Sequence, residues 1–288
     1  MEMYNKRIVR TFLSAFFLVL SFSISGYAQT GDTALIPAES KIILNKITAA
    51  HGGMKGWDKV KTVSFRYSLW VDFMQEWFDS YEMTDKNTLR SYQDLYLPEK
   101  GKISFNGKDV WYEGISGKGE PPRSRINFHY ETITLPWTMQ EYAISVSEPG
   151  SGKLPEDSAD YITLNVEMPC VAGCTTNGHS ASYKIFIDPK TYLIKGIQYY
   201  ITYGAMLDVM NIPADQKSFG PMTHVYRQYM AIDGLVVPNT YDTYTPQGKS
   251  AVHHLVTNFS WQKPFDEKRM NKPATAILDT SKPERANN

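Results

Sequence analysis

Hydrophobic and polar positions alternate along much of this chain. Residues 60–73, VKTVSFRYSLWVDF, place Val63, Phe65, Tyr67, Leu69 and Val71 on one face and Ser64, Arg66 and Ser68 on the other. That is the period-two pattern of a strand buried on one side. Residues 76–85 and 88–97 read as two further strands, and GKISFNGKDVWYEG as a hairpin with Asn106-Gly107 at its tip. Farther on, residues 161–168, 181–187 and 192–203 predict strands, with Asp188-Pro189-Lys190-Thr191 as a turn. Residues 223–231 pass through Asp233-Gly234 into 235–244, and Pro246-Gln247-Gly248-Lys249 turns into 251–261.

Two segments break the alternation. AESKIILNKITAAHGG carries Ile42, Ile43, Ile47 and Ala50, with Leu44 beside them, at helical spacing. Ser40 is placed to cap this helix and Gly52-Gly53 to stop it. Residues 124–146 mix both periods and predict a helical segment interrupted at Pro136, between polar loops at 117–124 and 147–158. Residues 205–221 read as a loop or short helix. The sum is an antiparallel meander of about nine to eleven strands, and so long a meander curls to close some of its edges. One domain over 39–282 is expected, after a flexible lead at 29–38 and before a frayed tail at 283–288. Ile197, Tyr199, Ile201 and Tyr203 share one face of their strand and Tyr200 takes the other. Bulk on both faces means either an enclosed cavity or helices packed outside.

The first residues change the picture of where the chain works. Lys6, Arg7 and Arg10 precede an apolar run from Phe12 to Ile24, and small residues around Gly26-Tyr27-Ala28 end it. This is the layout of a secretory signal peptide cleaved near Ala28, so a periplasmic or otherwise exported protein is expected. The full chain has 30 basic and 30 acidic side chains. Without a basic excess, nucleic acid is not expected as a partner. The 19 Tyr, 13 Phe and 6 Trp suit strands, and they also suit a lined cavity.

Candidate chemistry is sparse. PCVAGCTTNGH holds both cysteines and one histidine. In an oxidising compartment, a Cys170–Cys174 disulfide pinning a hairpin loop is the first reading. A metal bound by Cys170, Cys174 and His179, and a free or redox-active thiol pair, stay open beside it. His51-Gly52-Gly53 resembles an esterase oxyanion segment, but the chain has no Gly-x-Ser-x-Gly elbow, and a helix stop explains the glycines. His253 and His254 point to opposite faces of a strand. His253, sharing its face with Leu255 and Phe259, is expected to be the partly buried, satisfied ring. Glu76, Asp79, Glu82 and Asp85 are too many acids among too many to single out a glycosidase pair. No cofactor motif is present and no catalysis is expected.

The ordered pattern as a whole carries a resemblance. A leader, a helix ending AAHGG, Trp57 and VKTVSFRYSL are followed by IFIDPKTYLIKGIQYY and then by YMAIDGLVVPNTYDTYTPQGKSAVHHLVTNFSW, closing on Pro264-Phe265. This resembles the exported bacterial proteins of the periplasmic lipoprotein carrier and outer-membrane lipoprotein receptor family, over nearly all of the mature chain. The resemblance implies a half-open antiparallel β-barrel over an apolar cavity with a helical lid. It also implies a hydrophobic small molecule, lipid or lipoprotein acyl chain as partner, delivered with or without a membrane protein, and a monomer. On that fold Phe65, Tyr67, Trp70, Trp77, Trp111, Phe128, Trp137 and Tyr199 become candidates for lining the cavity or its lid, with ordinary core packing as the alternative. A metal-dependent exported enzyme using the cysteine stretch, and a surface module for glycans or proteins, are the competing expectations.

Overall fold

The computed structural model describes residues 36–116, 120–169 and 180–284. The leader and most of the lead, the stretch Cys170 to His179 with its disulfide and metal readings, and residues 285–288 lie outside them.

The alternating segments form the expected strands: β1 Thr62–Val71, β2 Glu76–Asp85, β3 Ser91–Leu97, β4 Gly101–Phe105 and β5 Val110–Glu113. Later come β6 Ser145–Val146, β7 Gly150–Gly152, β8 Tyr161–Pro169, β9 Ser180–Ile187, β10 Ile194–Ile201, β11 Phe219–Ile232, β12 Leu235–Tyr244, β13 Ser250–Ser260 and β14 Ile277–Leu278. The helices are α1 Ala38–Ala50, α2 Met54–Trp57, α3 Pro122–Arg125, α4 Phe128–Tyr142 and α5 Gly204–Val209. Among the described residues all fourteen strands join one antiparallel sheet, ordered β14-β5-β4-β3-β2-β1-β13-β12-β11-β10-β9-β8-β6, with β7 also on β8. The surplus over the expected count is β6, β7 and β14, each of two or three residues. β7 lies inside the loop read at 147–158, and β14 brings the polar tail back onto β5. The end strands β14 and β6 do not pair, so the sheet is open.

The sheet nevertheless wraps. Glu82 on β2 bonds to His129 on α4, and Tyr183 on β9 bonds to Glu131, two residues along the same helix. Those strands are six spacings apart in the sheet, about 29 Å if it were flat. Side chains two residues apart on one helix reach both only if the sheet curls around it. Accordingly one apolar cluster gathers Phe65 of β1, Leu164 of β8, Ile185 of β9, Val237 of β12, Ile47 of α1 and Trp137 of α4.

The helix α4 is buried from His129 through Met139 without a break. A helix apolar all round suits such a place, yet this one carries Thr132, Thr134 and Thr138. Their hydroxyls bond back to the carbonyls of His129, Tyr130 and Thr134 within the helix. Pro136 does not interrupt it, contrary to expectation. The carbonyl of Thr132, which loses its helical partner to the proline ring, accepts the hydroxyl of Tyr226 at 3.1 Å.

Helix α1 packs Ile43, Leu44 and Ile47 inward, whereas Ile42 is 55% exposed. Ser40 does not cap it. It lies within the first turn, and its hydroxyl donates to the Ser147 carbonyl at 2.6 Å. Gly52 has φ +102°, and a Cβ there would come within 2.1 Å of the Gly234 oxygen, so only glycine fits this approach of α1 to the β11–β12 turn. His51 fastens the same junction. Its Nε2 accepts from the Ile194 N–H at 3.2 Å, which leaves Nδ1–H to donate to the Val236 carbonyl at 2.7 Å. The resemblance to an oxyanion segment therefore resolves into a staple between three elements.

Candidate functional site

Strand register decides which side chains meet on the concave face. Tyr67 lies opposite Val256, Leu69 opposite His254 and Val71 opposite Val252. Phe78 faces Leu69 from β2, and Ser80 faces Tyr67. Tyr199 stands opposite Met222, Ile197 opposite His224, and His224 opposite Thr243. Tyr241 lies opposite His254. Along this face exposure falls inward, apart from Val71, which is buried at the outer end. At the end next to the β1–β2 turn, Leu69, Phe78, Tyr199, Met222 and Val252 are only half-buried, as is Phe128 at the start of α4. One step deeper, Tyr67, Ser80, Ile197, His224 and His254 are buried. Farther in the space is solid: Trp57 stacks on Trp137 with centroids 5.0 Å and planes 10° apart, and Trp261 meets both rings edge-on. The concave face is thus filled at one end and edged by half-buried apolar side chains, its mouth, at the other.

The floor of the mouth is polar. Nδ1 of His224 lies 2.8 Å from Oγ1 of Thr243, which lies 2.6 Å from Nε2 of His254. Nδ1 of His254 is 2.6 Å from the Tyr67 hydroxyl, itself 2.8 Å from the hydroxyl of Tyr241. The Tyr241 ring stacks on His254, and the Tyr67 ring on His129. Burial depresses the pKa of His224 to about 3, with His129 adding to it. Burial, then the neighbouring His224 and His129, hold His254 far below the ordinary histidine range. Both rings are therefore neutral. Beside them Glu82 takes the Ser80 hydroxyl at 3.0 Å and Nδ1 of His129 at 2.8 Å. Burial works to raise the Glu82 pKa, but attraction and hydrogen bonding from His129 prevail, and it settles below the usual value. The other end of the series is incomplete: Nε2 of His224, fully buried, has no hydrogen-bond partner among the described residues.

The eight aromatic candidates do not form one site. Phe128 and Tyr199 meet at the mouth with centroids 5.3 Å apart. Tyr67 belongs to the floor, and Phe65 and Trp137 are in the core beneath it. Trp70 and Trp77 pair directly across β1 and β2 on the opposite, outer face, where Trp77 is 53% exposed. Trp111 is buried on β5 where β14 pairs with it, and so stands apart from the other seven. The histidine reading is also corrected. His253 is the exposed ring, held between Asp242 at 2.7 Å and Asp72 at 3.3 Å, and His254 is the buried one. Leu255 shares the outer face, whereas Phe259 packs inward, because Asn258 at φ +53° and a register shift change the face between them.

Among the described residues no group of three or more His, Cys, Asp or Glu side chains is placed to hold a metal. No helix among them is long and apolar enough to cross a membrane. A separate groove of about 460 Å³ lies on the outer face of β8 to β10, lined by Asn165, Glu167, Ser182, Lys184, Gln198 and Tyr200 among others.

No protein family model matches the chain, and no curated protein does. Several solved structures are similar in fold. A LolA superfamily protein from Nitrosomonas europaea is 10% identical with a TM-score of 0.47, over 81% of this chain and 97% of that one. A DUF1329 family protein from Desulfovibrio piger is 12% identical with a TM-score of 0.47, over 80% of this chain and 96% of that one. A protein domain from Vibrio parahaemolyticus, described in terms of outer membrane lipoprotein sorting, is 10% identical with a TM-score of 0.43, over 80% and 95%.

Proposed function

We propose that this chain is an exported binding or carrier protein. It holds a lipid-like or acylated hydrophobic ligand on the concave face of the sheet, beside α4, and performs no catalysis. The observation that carries this reading is the half-buried apolar set at the mouth: Leu69, Phe78, Tyr199, Met222, Val252 and Phe128. Inward-facing side chains of a curled sheet are either covered by core or polar toward water. Five such side chains left half-buried, with Phe128 of α4 beside them, make an apolar surface suited to a ligand. The character of α4 supports the same reading. Its threonine hydroxyls are satisfied within the helix, so they travel with it if it shifts. Its polar ties to the sheet run through His129, Glu131 and the Thr132 carbonyl. The reading of residues 1–28 as a secretory leader supports a site of action outside the cytoplasm.

The test is native mass spectrometry of the protein exported to a Gram-negative periplasm with its own leader, followed by extraction of bound lipid. Co-purifying lipid in the wild type, lost in Leu69→Asp, is expected. Protein that is free of lipid and takes up none from added phospholipid or fatty-acid mixtures would overturn the proposal.

A further inference from the structure

The orphaned nitrogen at the floor of the mouth has a definite polarity, which follows from counting hydrogens. His224, Thr243, His254, Tyr67 and Tyr241 form a linear series joined by four hydrogen bonds. With both imidazoles neutral, each of the five groups carries one polar hydrogen. Four bonds use four of them, and one remains at an end. A neutral imidazole donates from one nitrogen and accepts at the other, so His254 sets one sense along the series, broken only if Thr243 or Tyr67 accepts twice and strands its own hydrogen. If donation runs from His224 toward Tyr241, two groups are stranded: the Tyr241 hydrogen, which has no further partner among the described residues, and the Nε2 lone pair of His224. If it runs from Tyr241 toward His224, only the Nε2–H of His224 is left. Buried donors without partners are rare and costly. Each direction leaves one unmet hydrogen, and only the second leaves no unmet imidazole lone pair.

Resting on the reading that the mouth holds an apolar ligand, we infer that this ligand carries an uncharged hydrogen-bond acceptor, a carbonyl or ether oxygen on an otherwise apolar molecule, and seats it on Nε2–H of His224. The place suits such a group. Rings of Tyr199, Tyr241, His254 and Phe128 surround His224 at 4.9, 5.0, 5.4 and 6.2 Å between centroids. Of these, Phe128 and Tyr199 are the half-buried pair that belongs to the mouth. An anion is disfavoured, since it would be stripped of water among these rings. A cation gains nothing, since the Glu82 carboxylate is already taken by His129 and Ser80. A hydrocarbon would leave the N–H unmet.

The experiment compares methyl palmitate with heptadecane, which differ in the ester and little in length, as displacers of N-phenyl-1-naphthylamine from the full mature protein. Wild type is expected to prefer the ester by about tenfold, the worth of one buried hydrogen bond. In His224→Phe the two affinities are expected to fall within about twofold of each other. Equal affinities in wild type, or a preference that survives in His224→Phe, overturn the inference and leave the carrier reading standing. If neither compound binds wild type, the carrier reading falls and takes the inference with it. A second measurement needs no variant. Long-range proton–nitrogen NMR of histidine-labelled wild type should show His224 as the Nε2–H tautomer, with that nitrogen shifting on addition of methyl palmitate. The Nδ1–H tautomer overturns the inference.

Discussion

Nδ1 of His129 sits 2.8 Å from Oε1 of Glu82, with both side chains buried, and this contact ties the first turn of α4 to the inner face of β2. Removing His129 leaves Glu82 with the Ser80 hydroxyl as its hydrogen-bond partner among the described residues. His129→Leu is therefore expected to lower stability by about 3 kcal/mol, the scale for breaking a buried charged contact from one side. Glu82→Gln in the same background should recover part of that loss. Urea unfolding of the two single variants and the double variant measures the coupling. Because the folded pKa of Glu82 is depressed, its contribution is present above the unfolded carboxylate value of about 4.3 and is lost as pH falls through the folded value.

Glu131 acts in the opposite sense. Burial pushes its carboxyl up to about 7, against the bond donated by Tyr183. Its contribution is complete below the unfolded value near 4.3 and is lost as pH rises through 7. Three buried neutral histidines pull the other way. His51, brought down to about 4, together with His224 and His254, costs stability as pH falls below about 6.5. The wild-type curve sums these trends, so the informative quantity is the difference between Glu131→Gln and wild type. That difference should move in favour of the variant by on the order of 3 kcal/mol between pH 4.5 and pH 8. A difference that stays flat over this range would show that Glu131 does not titrate there.

The contrast between Trp137 and Trp77 separates aromatics by face. Trp137 is fully buried against Trp57 and Trp261, so Trp137→Ala should cost about 4 kcal/mol in urea unfolding. Trp77 is on the outer face, half of it in water, and Trp77→Ala should cost about 1 kcal/mol or less. Similar losses at the two positions would mean that the outer face is covered in solution.

That contrast also marks what the sequence could and could not carry. Strands and turns were legible because their causes are local: alternation over 60–73, Asn106-Gly107, Asp233-Gly234 and the helix stop at Gly52-Gly53. Alternation divides a strand into two faces correctly, but it treated Trp70 and Trp77 as possible lining because aromatic character says nothing about which face is inside. Only the phase shared with Val63, Phe65 and Tyr67 does, and Trp70 is out of that phase. The helix through Pro136 was illegible because the group that takes the freed Thr132 carbonyl is Tyr226, 94 residues away. The floor was harder still. Its five members come from four strands, Tyr67 and His254 being 187 residues apart in sequence, and no local spacing joins them. His254 itself lost its place to His253 because Leu255, its apparent apolar companion, is a surface residue.

The mouth and the outer groove can be told apart by one pair of substitutions. Leu69 is half-buried on the concave face, with Phe78 and His254 as its cross-strand neighbours. A charge there meets apolar ligand surface but little core. Leu69→Asp should therefore cost about 1 kcal/mol of stability, since only part of a leucine's burial is lost. It should weaken binding of N-phenyl-1-naphthylamine by about tenfold or more, because an aspartate must be desolvated against the bound hydrocarbon. Tyr200 lines the outer groove and is 52% exposed, on the opposite side of β10 from Tyr199. Tyr200→Ala should leave both stability and probe affinity within about twofold of wild type. The reverse pattern, a silent Leu69→Asp and a sensitive Tyr200→Ala, would move the ligand to the outer face. The relevant chemistry would then be the Asn165, Gln198, Glu167 and Lys184 side chains of the groove, a polar set suited to a hydrophilic ligand.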